Sequence, residues 1–149
     1  MASWLTTQQA MPLPQGSVLM VTGGMKGRKT TLDDTELYGQ AQAQLQPQRL
    51  VTEYGMTELC SQCWGTPSGP FKPAPWLRVH AIDPQNGKRL APGQEGQLRF
   101  LDLANLDSTL GIETEDRGVI DKDGNVHLLG RVAGSELRGC SLRFRGTTS

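Results

Sequence analysis

Short apolar runs set off by glycine and proline, rather than long stripes at helical spacing, organise this chain. Ser17 to Thr22 (SVLMVT) is brief and apolar, with Gly16 before it and Gly23-Gly24 after it, which predicts a buried strand leading into a glycine loop. Leu32, Leu37, Ala41 and Leu45 recur near helical spacing between Leu32 and Gln46. Asp33, Asp34 and Glu36 fall in the first turn, where negative charge suits the helix dipole, and Pro47 ends the segment. Arg49 to Tyr54 (RLVTEY) predicts a second strand. The first third is therefore expected to be a parallel β-α-β unit with a crossover helix, and a ligand site is expected at the carboxyl ends of its strands.

From Trp76 the texture changes. Leu77 to Ile82, Gln97 to Leu103, Gly118 to Ile120 and Val126 to Leu129 are short strand patterns. They are divided by the turn sequences DPQNGK (83–88), APGQEG (91–96) and DKDGN (121–125), which predicts antiparallel pairing. The expected fold class is α/β, a short parallel β-α-β unit followed by a distorted antiparallel β subdomain. The expected division is a nucleotide-contacting unit at 1–64, a Pro/Gly-rich connection at 65–75, and the antiparallel subdomain with its tail at 76–149.

Composition narrows the function. A length of 149 residues suits one domain with a real core, and 18 glycines with nine prolines agree with a loop-rich fold. Fifteen Lys and Arg balance fifteen Asp and Glu, which leaves no basic excess for nucleic acid. The apolar stretch Val18 to Val21 is far short of the ~20 residues of a membrane span. The opening MASWLTTQQAMPLPQG lacks the basic region and apolar run of a secretory signal, so the three cysteines are expected as thiols and the protein in the cytoplasm.

The residues with the most chemistry are Tyr54-Gly55-Met56-Thr57-Glu58, placed at a predicted strand's carboxyl end. Gly55 lets backbone approach a ligand, Thr57 offers a hydroxyl to a phosphate oxygen, and Glu58 offers a carboxylate to Mg²⁺. The plain alternative is a strand end entering a helix capped by Thr57. Lys26, Arg28 and Lys29 form either a phosphate grip or a solvated loop. Cys60 and Cys63 have the spacing of half a zinc site or a redox pair, with His80, His127 and Cys140 as the available completing ligands. His80 and His127 fall within strand patterns. Trp64 and Trp76 flank the Pro-rich stretch, where they are expected to pin it to the core.

Four segments in order resemble the adenylate-forming superfamily. YGMTE resembles its tyrosine-glycine-x-threonine-glutamate motif. IDPQNGKRLAPGQEGQLRF is similar to its strand, turn and PGxxGxL hairpin, and IETEDRGVIDKDGNVHLLGR to its TGDxGxxDxDGxxxxxGR segment. Gly23-Gly24-Met25 stands where that family has its adenine-binding glycine loop. TGGMKGRKT and GRVAGSELRGCSL look most like the acyl-protein synthetase branch, the luciferin-component ligase of bacterial luminescence. The resemblance implies ATP-dependent activation of a fatty acid, or another carboxylic acid, as acyl-AMP. The acyl group would then pass to Cys140 and on to an accepting protein such as a reductase. It also implies that Gly24 and Tyr54 line the adenine pocket, with Gly23, Met25 and Gly55 beside them. Asp116 would hold the ribose with help from Arg131, Thr57 would contact phosphate, and Glu58 would hold Mg²⁺. Arg138 beside Cys140 would favour its thiolate.

The sequence also departs from that family. The 53 residues before YGMTE carry no counterpart of the family's upstream Ser/Thr/Gly-rich phosphate loop. Ala133 stands at a hinge position where the family commonly has Asp or Lys, and nothing corresponds to a mobile C-terminal domain with a catalytic lysine. The chain is thus expected to match the C-terminal portion of such an enzyme. A non-catalytic module that binds a nucleotide or a partner is the alternative. A sheet cut in this way would leave an edge, so self-association or a chain supplying the N-terminal half is expected.

Overall fold

The computed structural model describes residues 10–22, 34–67 and 69–132. Strand β1 (Val18–Thr22) is followed by helix α1 (Asp34–Leu45), β2 (Arg49–Tyr54), β3 (Cys63–Gly65) and β4 (Lys72–Pro73). Then come β5 (Leu77–Ile82), β6 (Glu95–Asp102), β7 (Gly111–Ile120) and β8 (Val126–Arg131). Two four-stranded sheets result. Sheet A runs β1-β2-β3-β4, and sheet B is the meander β5-β6-β7-β8.

In sheet A, β1 and β2 are parallel, in register from Val18 with Arg49 to Thr22 with Glu53, while β2, β3 and β4 pair antiparallel. This is the expected parallel unit, with α1 lying between its strands in sequence. Leu37, Ala41 and Leu45 are buried on the inner side of α1 against Leu13, Leu19 and Leu50. That packing fixes which way β1 and β2 face, because side chains alternate along a strand. Leu19, Val21, Leu50 and Thr52 share the covered face, and Val18, Met20, Val51 and Glu53 share the other.

Sheet B is antiparallel throughout, as the alternation and turns predict. Strand β7 is longer than the expected Gly118–Ile120, since it begins at Gly111. Its GIETEDR segment is acidic and has few apolar positions, so the apolar alternation that marks a strand in sequence is weak there, and the alternate buried positions are taken by Thr114 and Asp116. The stretch from Gly65 contributes β4, whose Lys72 pairs with Trp64, and Phe71 bridges to Val126 of sheet B. The Pro/Gly-rich segment is thereby built into both sheets. Trp64 and Trp76, expected to anchor it in the core, are instead 43% and 51% exposed, Trp64 on the outward side of β3 and Trp76 in the turn before β5.

The main core lies where the sheets meet. Leu59 and Cys63 from the sheet A side close on Leu77, Val79, Leu98, Phe100 and Val126 of sheet B. Tyr54 packs on this core with its ring 5.7 Å from Phe71 and 5.9 Å from Phe100. Fully buried side chains such as Phe100 and Leu98 contribute about 1.5–3 kcal/mol each by leaving water.

Candidate functional site

Tyr54, Asp116 and Arg131 come from separate sequence motifs and meet at one carboxylate. The Tyr54 hydroxyl donates to Asp116 Oδ2 at 2.7 Å, and Arg131 Nε donates to Asp116 Oδ1 at 2.9 Å. Pairing of β7 with β8 sets Arg131 directly across from Asp116, so their contact is dictated by register. Tyr54 reaches them from the last position of β2, across the seam between the sheets. The Asp116 backbone N–H donates to Thr114 Oγ1, and that hydroxyl donates to the Leu98 carbonyl, which ties the strand to its neighbour.

Asp116 is buried, with 6% of its surface exposed. Burial raises the pKa of the Tyr54 phenol well above its ordinary value, and the hydrogen bond to Asp116 adds to the rise. Tyr54 is therefore a fixed donor, neutral at every physiological pH. The hydrogen bond to Asp116 likewise holds the Arg131 guanidinium firmly protonated. A carboxylate has about four acceptor positions. Among the described residues, Tyr54 and Arg131 occupy one on each oxygen, which leaves one on each for further donors.

The turn after β2 carries the other expected residues. No helix follows Tyr54, since residues 55–62 form turn and irregular backbone. Thr57 and Glu58 are exposed, and Thr57 Oγ1 donates to Glu58 Oε2 at 3.1 Å. A Cβ at Gly55 would lie 3.2 Å from Gln62 Cγ, a close contact that the Gln62 side chain would have to relieve. Among the described residues no group of three or more His, Cys, Asp or Glu side chains is placed to hold a metal ion. Mg²⁺ usually takes one or two carboxylates plus substrate phosphates, and an exposed Glu58 fits that kind of partial ligand set.

Two residues that sequence reasoning missed hold this turn in place. Asp102, fully buried, accepts the Ser61 hydroxyl at 2.7 Å and the Ser61 N–H at 2.9 Å. The Trp76 indole N–H donates to the same Ser61 oxygen at 2.8 Å. Burial alone would raise the Asp102 pKa, but the Ser61 hydroxyl and the backbone N–H groups of Ala104, Ser61 and Cys60 outweigh it and leave the carboxyl below its ordinary value. Asn105 donates through Nδ2 to the carbonyls of Glu58 and Thr109, both at 3.1 Å. The signal for Asp102 was its place within the apolar run Phe100 to Leu103, where an acid needs buried donors.

The remaining candidates are dispersed. Cys60 is exposed, with its thiol toward Asn105 Oδ1 at 3.7 Å, whereas Cys63 is enclosed in the core, where burial pushes its thiol up to about 12. His80 is on β5 and His127 on β8, the latter 3.2 Å from Asp121 Oδ2. Gly23, Gly24 and Met25, the Lys26, Arg28 and Lys29 cluster, and Ala133, Arg138 and Cys140 lie outside the described residues.

Among solved structures, a long-chain-fatty-acid-CoA ligase from Archaeoglobus fulgidus aligns over 86% of this chain and 31% of its own, with 18% identity and a TM-score of 0.59. O-succinylbenzoate coenzyme A synthetase from Bacillus subtilis, in complex with AMP, aligns over 87% and 29%, with 20% identity and a TM-score of 0.57. A luciferase-like enzyme from the nonluminescent mealworm Zophobas morio aligns over 80% and 32%, with 23% identity and a TM-score of 0.55. No family model matches the chain, and no curated protein does. The solved structures are adenylate-forming enzymes, and this chain has the fold of part of their domain. It spans between a quarter and a third of their length.

Proposed function

We propose that this chain supplies the ribose- and phosphate-contacting part of an ATP-dependent ligase that activates a carboxylic acid as its acyl-adenylate. The observation that carries the reading is the convergence of Tyr54, Asp116 and Arg131 on one buried carboxylate with acceptor positions to spare. A ribose presents two vicinal hydroxyls, and the two open positions of Asp116 match two donors. Tyr54 and Arg131 hold the carboxylate in one orientation, so little reorganisation is needed on binding. Thr57 would donate its hydroxyl to a phosphate oxygen on leaving Glu58, and Glu58 would hold Mg²⁺, which would supply neutralisation of phosphate charge there. The AMP bound by the Bacillus subtilis synthetase supports a nucleotide as ligand.

The finer reading places this chain with the acyl-protein synthetases. A thiolate at Cys140 would attack the acyl carbonyl of the adenylate. The carbon–sulfur bond forms as the bond to the phosphate oxygen breaks, and AMP leaves with the electron pair. The support for this step is the resemblance of the segment around Cys140.

Thermal denaturation with AMP and with Mg-ATP tests the nucleotide site. Both ligands should raise the Tm of the wild type by several degrees at saturating concentration and leave Asp116→Ala unshifted. In Glu58→Gln the Mg-ATP shift should shrink while the AMP shift persists. Equal shifts in wild type and Asp116→Ala would refute the ribose assignment.

A further inference from the structure

The face of sheet A that α1 and sheet B leave uncovered has an order of its own. Register places Thr22, Glu53, Trp64 and Lys72 in one row across the four strands. Met20 and Val51 form the next row, and Val18 stands beside Arg49 beyond it. Among the described residues this face is open, with Val18 53%, Met20 48% and Trp64 43% exposed. Trp76, 51% exposed, lines one cavity of about 360 Å³ with Trp64, Lys72 and Pro75, so the apolar surface continues past β4. A contiguous apolar face rimmed by charge marks an interaction surface.

The charges in the row indicate what covers it. Glu53 and Lys72 flank Trp64 on adjacent strands, each about 4.8 Å from the strand between them. A two-fold axis running along the strands beneath Trp64 would stack two Trp64 indoles. It would set Glu53 of each copy over Lys72 of the other, and turn the Val18 and Met20 edge toward Pro75 and Trp76. Such an interface needs no second kind of surface, as isologous contacts require. The chain's charge balance of fifteen against fifteen adds no net repulsion between copies.

We propose that the uncovered face of sheet A is a self-complementary surface that receives a second copy of this chain, with Trp64 on the axis and Glu53 paired to Lys72 across it. This goes beyond the ligase reading and does not depend on it.

Sedimentation of the full chain over a range of concentrations, with charge variants, tests it. The wild type should dimerise. Glu53→Lys and Lys72→Glu each place like charges opposite one another and should weaken dimerisation at least about tenfold. An equimolar mixture of the two variants restores opposite charges at both contacts and should recover the dimer, with a salt dependence that a purely apolar contact lacks. Trp64→Ala should weaken the dimer without touching either charge. A wild type that stays monomeric through the micromolar range overturns the proposal. So does a dimer that survives Trp64→Ala, or a mixture that stays monomeric while circular dichroism shows both variants folded. The AMP-induced Tm shift is read separately, so failure here leaves the nucleotide site untouched.

Discussion

Asp121 is anchored by the loop it begins. Its carboxylate accepts the Asn125 side chain at 2.9 Å and the backbone N–H groups of Asn125 and Asp123 at 2.8 and 2.9 Å. These donors, the Asn125 side chain foremost, outweigh partial burial and lower its pKa from 3.8 to about 2. A depressed folded-state pKa means that the fold favours the ionised form. Its stabilisation is full above the ordinary value near 3.8 and is lost as pH falls toward about 2. Asp121→Asn should therefore be less stable than wild type at pH 6, on the order of 1 kcal/mol after solvent screening. The gap in Tm should close as the pH falls from 4 to 2, and a gap constant across that window would mean that charge is not what the loop holds. The loop itself was legible, because DKDGN is turn chemistry. The contact between Asp116 and Arg131 was not, because it depends on the register of β7 with β8, and Asp102 escaped notice because its donors are supplied by a turn some forty residues away.

Between strands, two glycines govern how closely β6 approaches β5 and how closely β7 approaches β8. Gly96 and Gly118 are register partners. A Cβ on Gly96 would lie 2.6 Å from the Ile82 carbonyl oxygen, and one on Gly118 would lie 2.8 Å from that of His127. Backbone must move to admit either, since a carbonyl in a sheet cannot rotate away as a side-chain tip can. Gly96→Ala should cost about 1–3 kcal/mol, measured as a lower urea midpoint. A midpoint equal to wild type would mean that the hairpin absorbs the methyl group. Strand existence was legible here from alternation, and β2 and β5 match their expected bounds at Arg49–Tyr54 and Leu77–Ile82. The length of β7 and the strands inside the Pro/Gly-rich stretch were hidden, since β3 and β4 are only three and two residues long and owe their form to pairing rather than to pattern.

At the scale of the molecule, the order of motifs was legible in the residues, whereas the gathering of Tyr54, Asp116 and Arg131 was implied only by the resemblance and not by any pattern along the chain. Nothing along the sequence says that β2 and β7 lie across one seam. If the tail carries the acyl acceptor, synthetic fatty acyl-AMP should form a hydroxylamine-sensitive thioester at Cys140, located by peptide mass spectrometry and abolished by Cys140→Ser. Labelling of the exposed Cys60 at an equal rate would show unselective thiol chemistry and remove the assignment. The seam also sets a sequence of events in time. Sheet B is a meander of neighbouring hairpins that forms from local contacts, whereas β1 finds β2 only after a crossover, and Tyr54 meets Asp116 across 62 residues of chain. The Tyr54–Asp116 contact is then among the last parts to be completed, and a chain emerging from the ribosome lacks it until β7 has joined the strands made before it.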